Sequence, residues 1–123
     1  MLGYFYIAGC IIFTVYGQLI IKWRMSDMGE LPANTAEKIT FLISSLLSDA
    51  FLLSGFGAAF AASLFWMAAM TKFELSFAYP FMSLAFVLVL VLGVLLLGET
   101  LTPGKAIGVS FICIGVIIST GLA

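Results

Sequence analysis

Charged residues are scarce in this sequence: they make up 9% of its 123 residues, against about 25% in an average soluble domain. Histidine is absent, which excludes imidazole catalysis and histidine-ligated metal sites. The net charge of -1 gives no indication of nucleic-acid binding. Cys10 and Cys113 both lie within apolar runs, and we interpret them as packing residues rather than as a disulfide or a metal site. We therefore expect no metal ion and no cofactor.

The chain is dominated by four apolar runs of about 18 residues or more, none of which contains a charged residue. A helix of that length crosses a bilayer, because each residue adds about 1.5 Å along the helix axis. The sequence therefore predicts an all-α integral membrane protein with a single four-helix domain, residues 1–123. The predicted transmembrane helices cover residues 2–23, 50–71, 75–97 and 104–122. We interpret the first as a retained span, because it lacks the basic segment of a signal peptide.

A shorter amphipathic helix is predicted before the second span, over residues 35–48, with Asn34 as its N-cap. Its apolar residues recur at helical spacing: Ile39, Leu42, Ile43, Leu46 and Leu47. A straight helix running on through the second span would be about 55 Å long, which is too long for one crossing. We therefore place a break near Ser48 and Asp49 and expect the short helix to lie in the membrane interface. The alternative is a plain extension of the second span beyond the membrane.

Basic residues are distributed unevenly among the loops. The first and third loops contain Lys22, Arg24, Lys38 and Lys105, whereas the second contains only Lys72. Lys and Arg are enriched in cytoplasmic loops, so this distribution predicts that the first and third loops are cytoplasmic and that both termini lie outside. Insertion in both orientations is the alternative.

Three polar residues of the first span, Thr14, Gln18 and Lys22, are spaced four residues apart and therefore share one helix face. This face could line a groove for a polar head group, with Lys22 near the membrane surface as the partner of a lipid phosphate. The alternatives are that Gln18 hydrogen-bonds a neighbouring helix and that Lys22 only extends its amine to the interface.

Four residues elsewhere are further candidates for substrate binding. Tyr79 and Ser83 are four residues apart and could hydrogen-bond a sugar hydroxyl, or serve as an interface residue and a backbone-bonded serine. Trp66 could stack on a sugar ring or fill space between helices. Glu99 ends the third span and is either a solvated charge or a partner for Lys105 or for a cationic substrate group.

Small residues in the fourth span predict close helix packing. They share one face and comprise Gly104, Gly108, Gly115 and Ser119. Four packed helices leave little room for a substrate, and transport folds commonly pair two inverted repeats around a central site. We therefore expect this chain to be one half of a dimer, joined to an identical copy or to a related four-span subunit through the fourth span.

Several segments together resemble a known family. They are Gly17-Gln18-Leu19 with Lys22, the segment AYPFMSLAFV at residues 78–87, Leu97-Gly98-Glu99 with Leu101-Thr102-Pro103, and the glycine-bearing span at residues 107–116. The pattern is similar to the four-span members of the drug/metabolite transporter superfamily, which are EamA-like or small multidrug resistance-like. Within it, the likeness is strongest to the subunits of bacterial flippases for aminoarabinose-phosphoundecaprenol.

The resemblance implies a transporter and not an enzyme. It implies a dimeric, multi-pass protein of the bacterial inner membrane that moves an undecaprenyl-phosphate-linked sugar from the cytoplasmic to the periplasmic leaflet. The small multidrug exporters use a glutamate in the first span, and the matching position here is Thr14. A cation exporter is one alternative, and it would require Glu74 or Glu99 to replace the missing first-span glutamate. An accessory subunit of a membrane glycosyltransferase is the other alternative.

Overall fold

The computed structural model describes residues 2–121, which form five α-helices. They are α1 (Leu2–Met28), α2 (Thr35–Ser48), α3 (Ala50–Ala69), α4 (Leu75–Leu97) and α5 (Pro103–Gly121). Helices α1, α3, α4 and α5 are each long and apolar enough to cross a membrane. This confirms the predicted all-α class with four candidate spans.

Helix α1 continues to Met28, past the predicted end of the first span at residue 23. Side-chain contacts stabilise the additional turn, because Arg24 pairs with Asp27 at 3.4 Å and Ser26 donates to the carbonyl of Lys22 at 2.7 Å. The helix stops before Gly29, whose φ of 81° is readily adopted only by glycine.

The break between α2 and α3 lies at Asp49, as predicted. Its backbone is extended (φ -109°, ψ 112°), and its side chain accepts hydrogen bonds from the backbone N–H groups of Phe51 and Leu52, which caps α3. The predicted N-cap of α2 is confirmed as well, since the Asn34 side chain accepts from the N–H of Ala36 at 2.8 Å. The position of α2 in the membrane interface stays a prediction.

The spans lie side by side in the order α3, α1, α4, α5. Helix α1 packs against both α3 and α4, α4 also packs against α5, and α2 packs against α3. Helices α1, α3 and α4 share one core cluster, whereas α5 packs closely against α4 alone among the described helices. One side of α1 stays open between its two neighbours, and α5, in which only Val116 is buried, lies at the edge.

Two kinds of contact hold α1 in the centre. Towards α4, a core cluster includes Ile7, Ile11 and Val15 of α1 and Ala78 and Ala85 of α4. Towards α3, glycines allow the two backbones to touch: a Cβ atom added to Gly17 would lie 2.9 Å from the carbonyl oxygen of Gly55. Small residues permit this approach in lipid, where helix association depends on close packing.

Candidate functional site

A pocket of about 430 Å³ lies on the open side of α1, between α3 and α4; we call it the α1 pocket. Its polar and aromatic lining consists of Thr14, Gln18, Ser63, Trp66 and Tyr79, and small or apolar residues form the rest. Four of the seven substrate-binding residues predicted from the sequence are therefore brought together here. The spans that form the pocket are otherwise covered by apolar side chains such as Phe60, Leu64 and Phe86, which are all exposed.

The face of α1 determines which of its residues reach the pocket. Thr14 and Gln18 are one turn apart, and Gly17 and Ile21 follow on the same side. Because Gly17 has no side chain, α3 approaches closely and its residues Ala59 and Ser63 complete the lining. The close helix contact and the pocket thus depend on the same turn of α1.

The Gln18 side chain forms no hydrogen bond with the part of the chain that the structure describes, and it is exposed on the open side of α1. The predicted alternative, a hydrogen bond from Gln18 to a neighbouring helix, is not formed among these residues. An amide moved into an apolar medium without a partner costs roughly 2–7 kcal/mol. Its two N–H donors and its carbonyl oxygen therefore require water, a partner subunit or a ligand.

Trp66 and Tyr79 form an aromatic pair at one wall of the pocket, with ring centroids 5.3 Å apart and planes at 77°. The edge-to-face arrangement suits the ring quadrupoles and leaves the Tyr79 side chain 59% exposed. Trp66 also packs against the core cluster and lines the pocket, whereas its stacking on a sugar ring stays a prediction.

Ser83 and Glu99 do not reach the α1 pocket. They line two adjoining cavities that share Ile112 and together form what we call the α4–α5 groove. One cavity, of about 500 Å³, is lined by Ser83 and also by Tyr79, which therefore borders both sites. The other, of about 360 Å³, is lined by Glu99.

The ion pair that the sequence allowed between Glu99 and Lys105 is not formed. The Lys105 amine instead donates to the carbonyl of Thr100 at 2.8 Å. The Glu99 carboxylate folds back towards α4, where a Cβ atom on Gly93 would lie 2.9 Å from its Oε1 atom. Gly98, with φ 68°, ends α4 and allows this reversal.

The two basic residues at the end of α1 have different surroundings. Arg24 Nε donates to Asp49 Oδ2 at 2.6 Å, and its guanidinium also contacts Asp27. The hydrogen bond from Arg24 lowers the pKa of Asp49, and the capped N–H groups of Leu52 and Phe51 act in the same direction. Lys22 is exposed and forms no ion pair with any residue that the structure describes. It lies one turn, or about 6 Å along the axis, beyond Gln18.

Ser63 is a pocket residue that the sequence analysis missed. It lies in a run of small residues on α3, and its hydroxyl donates to the carbonyl of Ala59 at 3.1 Å. The oxygen keeps acceptor capacity for a ligand. Its position three residues before Trp66, on the same helix face, is the signal that could have identified it.

The predicted packing residues of α5 contact no other helix of the described chain closely. Gly104, Gly108, Gly115 and Ser119 are all exposed, and a Cβ atom on Gly108 or Gly115 would meet nothing within 4 Å. Gly108 and Gly115 border the α4–α5 groove. Close packing through this face therefore requires a partner outside the chain.

The apolar spans surround a polar, aromatic pocket, and the comparisons assign the chain to a family of transporters. Residues 1–121 match the EamA-like transporter family, and the chain belongs to that family. This confirms the resemblance seen in the sequence. No solved structure matches the chain.

Curated relatives cover most of the chain. It is 33% identical over 118 residues to the probable 4-amino-4-deoxy-L-arabinose-phosphoundecaprenol flippase subunit ArnF of Aeromonas hydrophila, covering 94% of this chain and 78% of the relative. It is 30% identical over 120 residues to the protein of the same name from an Enterobacter species, covering 96% and 94%. These relatives are named as flippase subunits.

Proposed function

We propose that this protein is one subunit of a carrier that moves an undecaprenyl-phosphate-linked sugar from the cytoplasmic to the periplasmic leaflet of a bacterial inner membrane. The observation that supports this most directly is the α1 pocket, in which hydrogen-bonding and aromatic side chains face an opening between apolar spans. A polar head group crosses through the pocket while the polyprenyl tail stays in the bilayer. The names of the relatives support the same class of cargo.

The pocket residues have distinct roles in this proposal. Thr14 and Gln18 hydrogen-bond the sugar hydroxyls, and the Trp66–Tyr79 pair contacts the sugar ring. Lys22 binds the phosphate as the head group enters, because its amine has no carboxylate partner among the described residues and lies near the membrane surface. Ser83 and Glu99 lie in the α4–α5 groove and are not assigned to this pocket.

The carrier also requires a second subunit. The pocket is open along one side, and the face of α5 formed by Gly104, Gly108, Gly115 and Ser119 is exposed. Small residues on an exposed span are suited to close contact with another helix. A second four-span subunit on this face, either identical or related, gives the two-repeat arrangement common in transporters.

The test is lipid translocation by the purified protein in liposomes. Undecaprenyl-phosphate pentose is placed in one leaflet, and its appearance in the other is followed by oxidation with membrane-impermeant periodate. The double variant Gln18→Leu/Tyr79→Phe removes two hydrogen-bonding groups, each worth about 0.5–1.5 kcal/mol, so we expect about a tenfold slower transfer. Tyr16→Phe is the matched control, because the Tyr16 hydroxyl bonds Ser54 outside the pocket.

The same preparation distinguishes the competing functions. Unchanged transfer in the double variant refutes the pocket assignment. Transport of a quaternary ammonium ion that is lost in Glu99→Gln identifies a cation exporter. If the protein alone moves no lipid but co-purifies with a glycosyltransferase, it is an accessory subunit.

A further inference from the structure

Two side chains of opposite charge line one cavity of the α4–α5 groove without pairing with each other. We call this cavity, of about 360 Å³ and lined by both Glu99 and Lys105, the Glu99 cavity. The Glu99 carboxylate forms no hydrogen bond or ion pair with any side chain that the structure describes. The Lys105 amine donates to the carbonyl of Thr100 and has further N–H donors without a partner among the described residues.

The end of α4 holds the Glu99 carboxylate inside this cavity. Gly98 reverses the chain with φ 68°, and the N–H of Glu99 then donates to the carbonyl of Gly93 at 3.2 Å. As a result the carboxylate lies on Gly93, where an added Cβ atom would be 2.9 Å from Oε1. Gly93 precedes the end of α4 at Leu97 by one turn, or about 6 Å. The carboxylate therefore lies beside the span and not in the loop beyond it.

Each of the two charges lies at the helix end that disfavours it. The C-terminus of a helix is negative because its last carbonyl groups are unpaired, and Glu99 lies against this end of α4. The first turn of a helix is positive, and Lys105 belongs to the first turn of α5. A counter-charge would thus stabilise both side chains, as a cation at Glu99 and an anion at Lys105.

The remaining wall of the Glu99 cavity is apolar and comes from both helices. Its residues are Phe86, Val89, Leu90, Gly108, Val109 and Ile112. Such a wall suits the hydrocarbon chain of a lipid, because apolar surface is removed from water on contact. The two charged groups suit a head group that carries both an anion and a cation.

We propose that the Glu99 cavity binds a lipid whose head group contains a phosphate and a protonated amine, with the amine on Glu99 and the phosphate on Lys105. The inference rests on the proposed function, and it makes the cargo an undecaprenyl phosphate linked to an amino sugar. Both contacts are hydrogen bonds between charged groups, which are stronger than those between neutral groups. The cavity shares no lining residue with the α1 pocket, so it is a second site on the chain for the same lipid.

The test compares two sugar lipids with their parent lipid. Undecaprenyl phosphate carries either a 4-amino-4-deoxypentose or the same pentose with a hydroxyl in place of the amine, and undecaprenyl phosphate without a sugar is the reference. Binding to the purified protein is measured at pH 7 in nanodiscs of phosphatidylglycerol, which contains no amine. We expect the amino-sugar lipid to bind about fivefold more tightly than the hydroxyl-sugar lipid, because only its amine can pair with Glu99.

Glu99→Gln removes the charge with almost no change of shape. We expect it to weaken the binding of the amino-sugar lipid alone and so to abolish the preference. Glu74→Gln is the matched control, because Glu74 lies at the opposite end of α4 and lines neither this cavity nor the α1 pocket. Lys105→Gln should weaken the binding of all three lipids and retain the preference, because it removes a phosphate contact.

Gly93→Ala is a second variant that decides the question if Glu99→Gln fails to fold. It keeps the carboxylate but displaces it from the cavity, because the new Cβ atom would lie 2.9 Å from Oε1. We expect the preference for the amino-sugar lipid to decrease in this variant also. An unchanged preference in Gly93→Ala and in Glu99→Gln would place the amine elsewhere and refute the inference.

The outcomes separate this inference from the proposed function. If the two sugar lipids bind equally well and better than the reference lipid, the contact between the amine and Glu99 is wrong and the proposed function stands. If neither sugar lipid binds better than the reference lipid, the proposed function itself is wrong.

Two further results would assign the Glu99 cavity to another partner and overturn the inference. If phosphatidylethanolamine displaces the amino-sugar lipid at equal concentration, the cavity binds bulk lipid with the same charges. If Glu99→Gln leaves the lipid preference unchanged but decreases the dimer signal in native mass spectrometry, the carboxylate pairs with the partner subunit.

Discussion

Arg24 Nε donates a hydrogen bond to Asp49 Oδ2 across 2.6 Å, and this pair connects three helices. Arg24 belongs to the last turns of α1, while Asp49 both ends α2 and caps α3. The guanidinium also lies 4.9 Å from the centroid of the Trp23 ring and 5.9 Å from that of Phe51. This charged contact therefore joins the end of α1 to the bend between α2 and α3, and two aromatic rings lie beside it.

Asparagine and alanine at position 49 separate the two roles of this aspartate. Asn retains the capping of α3 but loses the charge, whereas Ala loses both, so we expect Asp49→Ala to lower the unfolding temperature more than Asp49→Asn. The double variant Arg24→Gln/Asp49→Asn should lower the unfolding temperature little more than the more harmful of the two single changes does. The reason is that each single change already breaks the same ion pair. Thermal unfolding in detergent measures this, and strictly additive effects would show that the pair is not coupled.

The lowered pKa of Asp49 predicts loss of stability in acid. The hydrogen bond from Arg24 is its main cause. The pair stabilises the fold fully above the unfolded-state pKa of about 3.9, and this contribution disappears as the pH falls through the lower folded-state value. We expect the difference in unfolding temperature between wild type and Asp49→Asn to be constant from about pH 5 to 7 and to shrink below about pH 4. If the difference in unfolding temperature between the two proteins changed around pH 6 instead, the effect could not be assigned to Asp49.

Alanine at position 17 should separate α1 from α3. The added Cβ atom would lie 2.9 Å from the Gly55 carbonyl oxygen, and backbone cannot move aside as a flexible side chain can. We expect a loss of about 1–3 kcal/mol in the free energy of unfolding, together with weaker sugar-lipid binding, because this contact borders the α1 pocket. Gly57→Ala is the control: its Cβ would meet nothing within 4 Å, so the helix should gain roughly 0.5–1 kcal/mol from alanine. Equal changes in the free energy of unfolding in Gly17→Ala and Gly57→Ala would show that the close contact between Gly17 and Gly55 does not stabilise the fold.

Lys22→Gln should weaken the binding of undecaprenyl phosphate itself, with or without a sugar. Because Lys22 is exposed near the membrane surface, we expect a several-fold loss that becomes smaller as the salt concentration rises. Lys38→Gln, on the exposed first turns of α2, is the matched control. Binding in nanodiscs at low and high salt measures both, and an equal loss in the two variants would indicate a general attraction of the lipid to basic charge.

Gly115→Leu should disrupt subunit pairing. Leucine would project from the exposed face of α5 and prevent the close approach of a partner helix. Native mass spectrometry of the protein extracted gently from its host's membranes reports the number of subunits. We expect the dimer signal to decrease strongly in Gly115→Leu and to persist in Gly57→Leu, which adds the same side chain to α3. A dimer that survives both changes would place the interface on another face.

Much of the helical framework could be predicted because it depends on local signals. Apolar length predicted the spans, and the N-cap Asn34 and the break at Asp49 follow from side chains that bond nearby backbone. The order of the helices could not be predicted, because it depends on contacts between distant residues such as Gly17 and Gly55. Spacing along α1 predicted that Thr14, Gln18 and Lys22 share one face; Thr14 and Gln18 line the α1 pocket, and Lys22 does not.

The predicted pairing of Tyr79 with Ser83 holds only for the α4–α5 groove, and the reason is geometric. Residues four apart on a helix differ by about 40° around its axis, and at the boundary between two cavities this rotation is enough to separate them. Tyr79 lines both cavities, whereas Ser83 lines only the groove. A prediction from spacing alone cannot tell where such a boundary falls.

The position of Tyr79 between two cavities has a thermodynamic consequence. One side of this residue borders the α1 pocket beside Trp66, and the other borders the groove beside Gly115. A partner subunit bound in the α4–α5 groove would thus restrict the Tyr79 ring, which a sugar in the α1 pocket also contacts. If pairing changes the affinity for the lipid by some factor, bound lipid must change the pairing affinity by that same factor. Cargo binding and subunit association then form one linked equilibrium, with a single phenol ring as their common element.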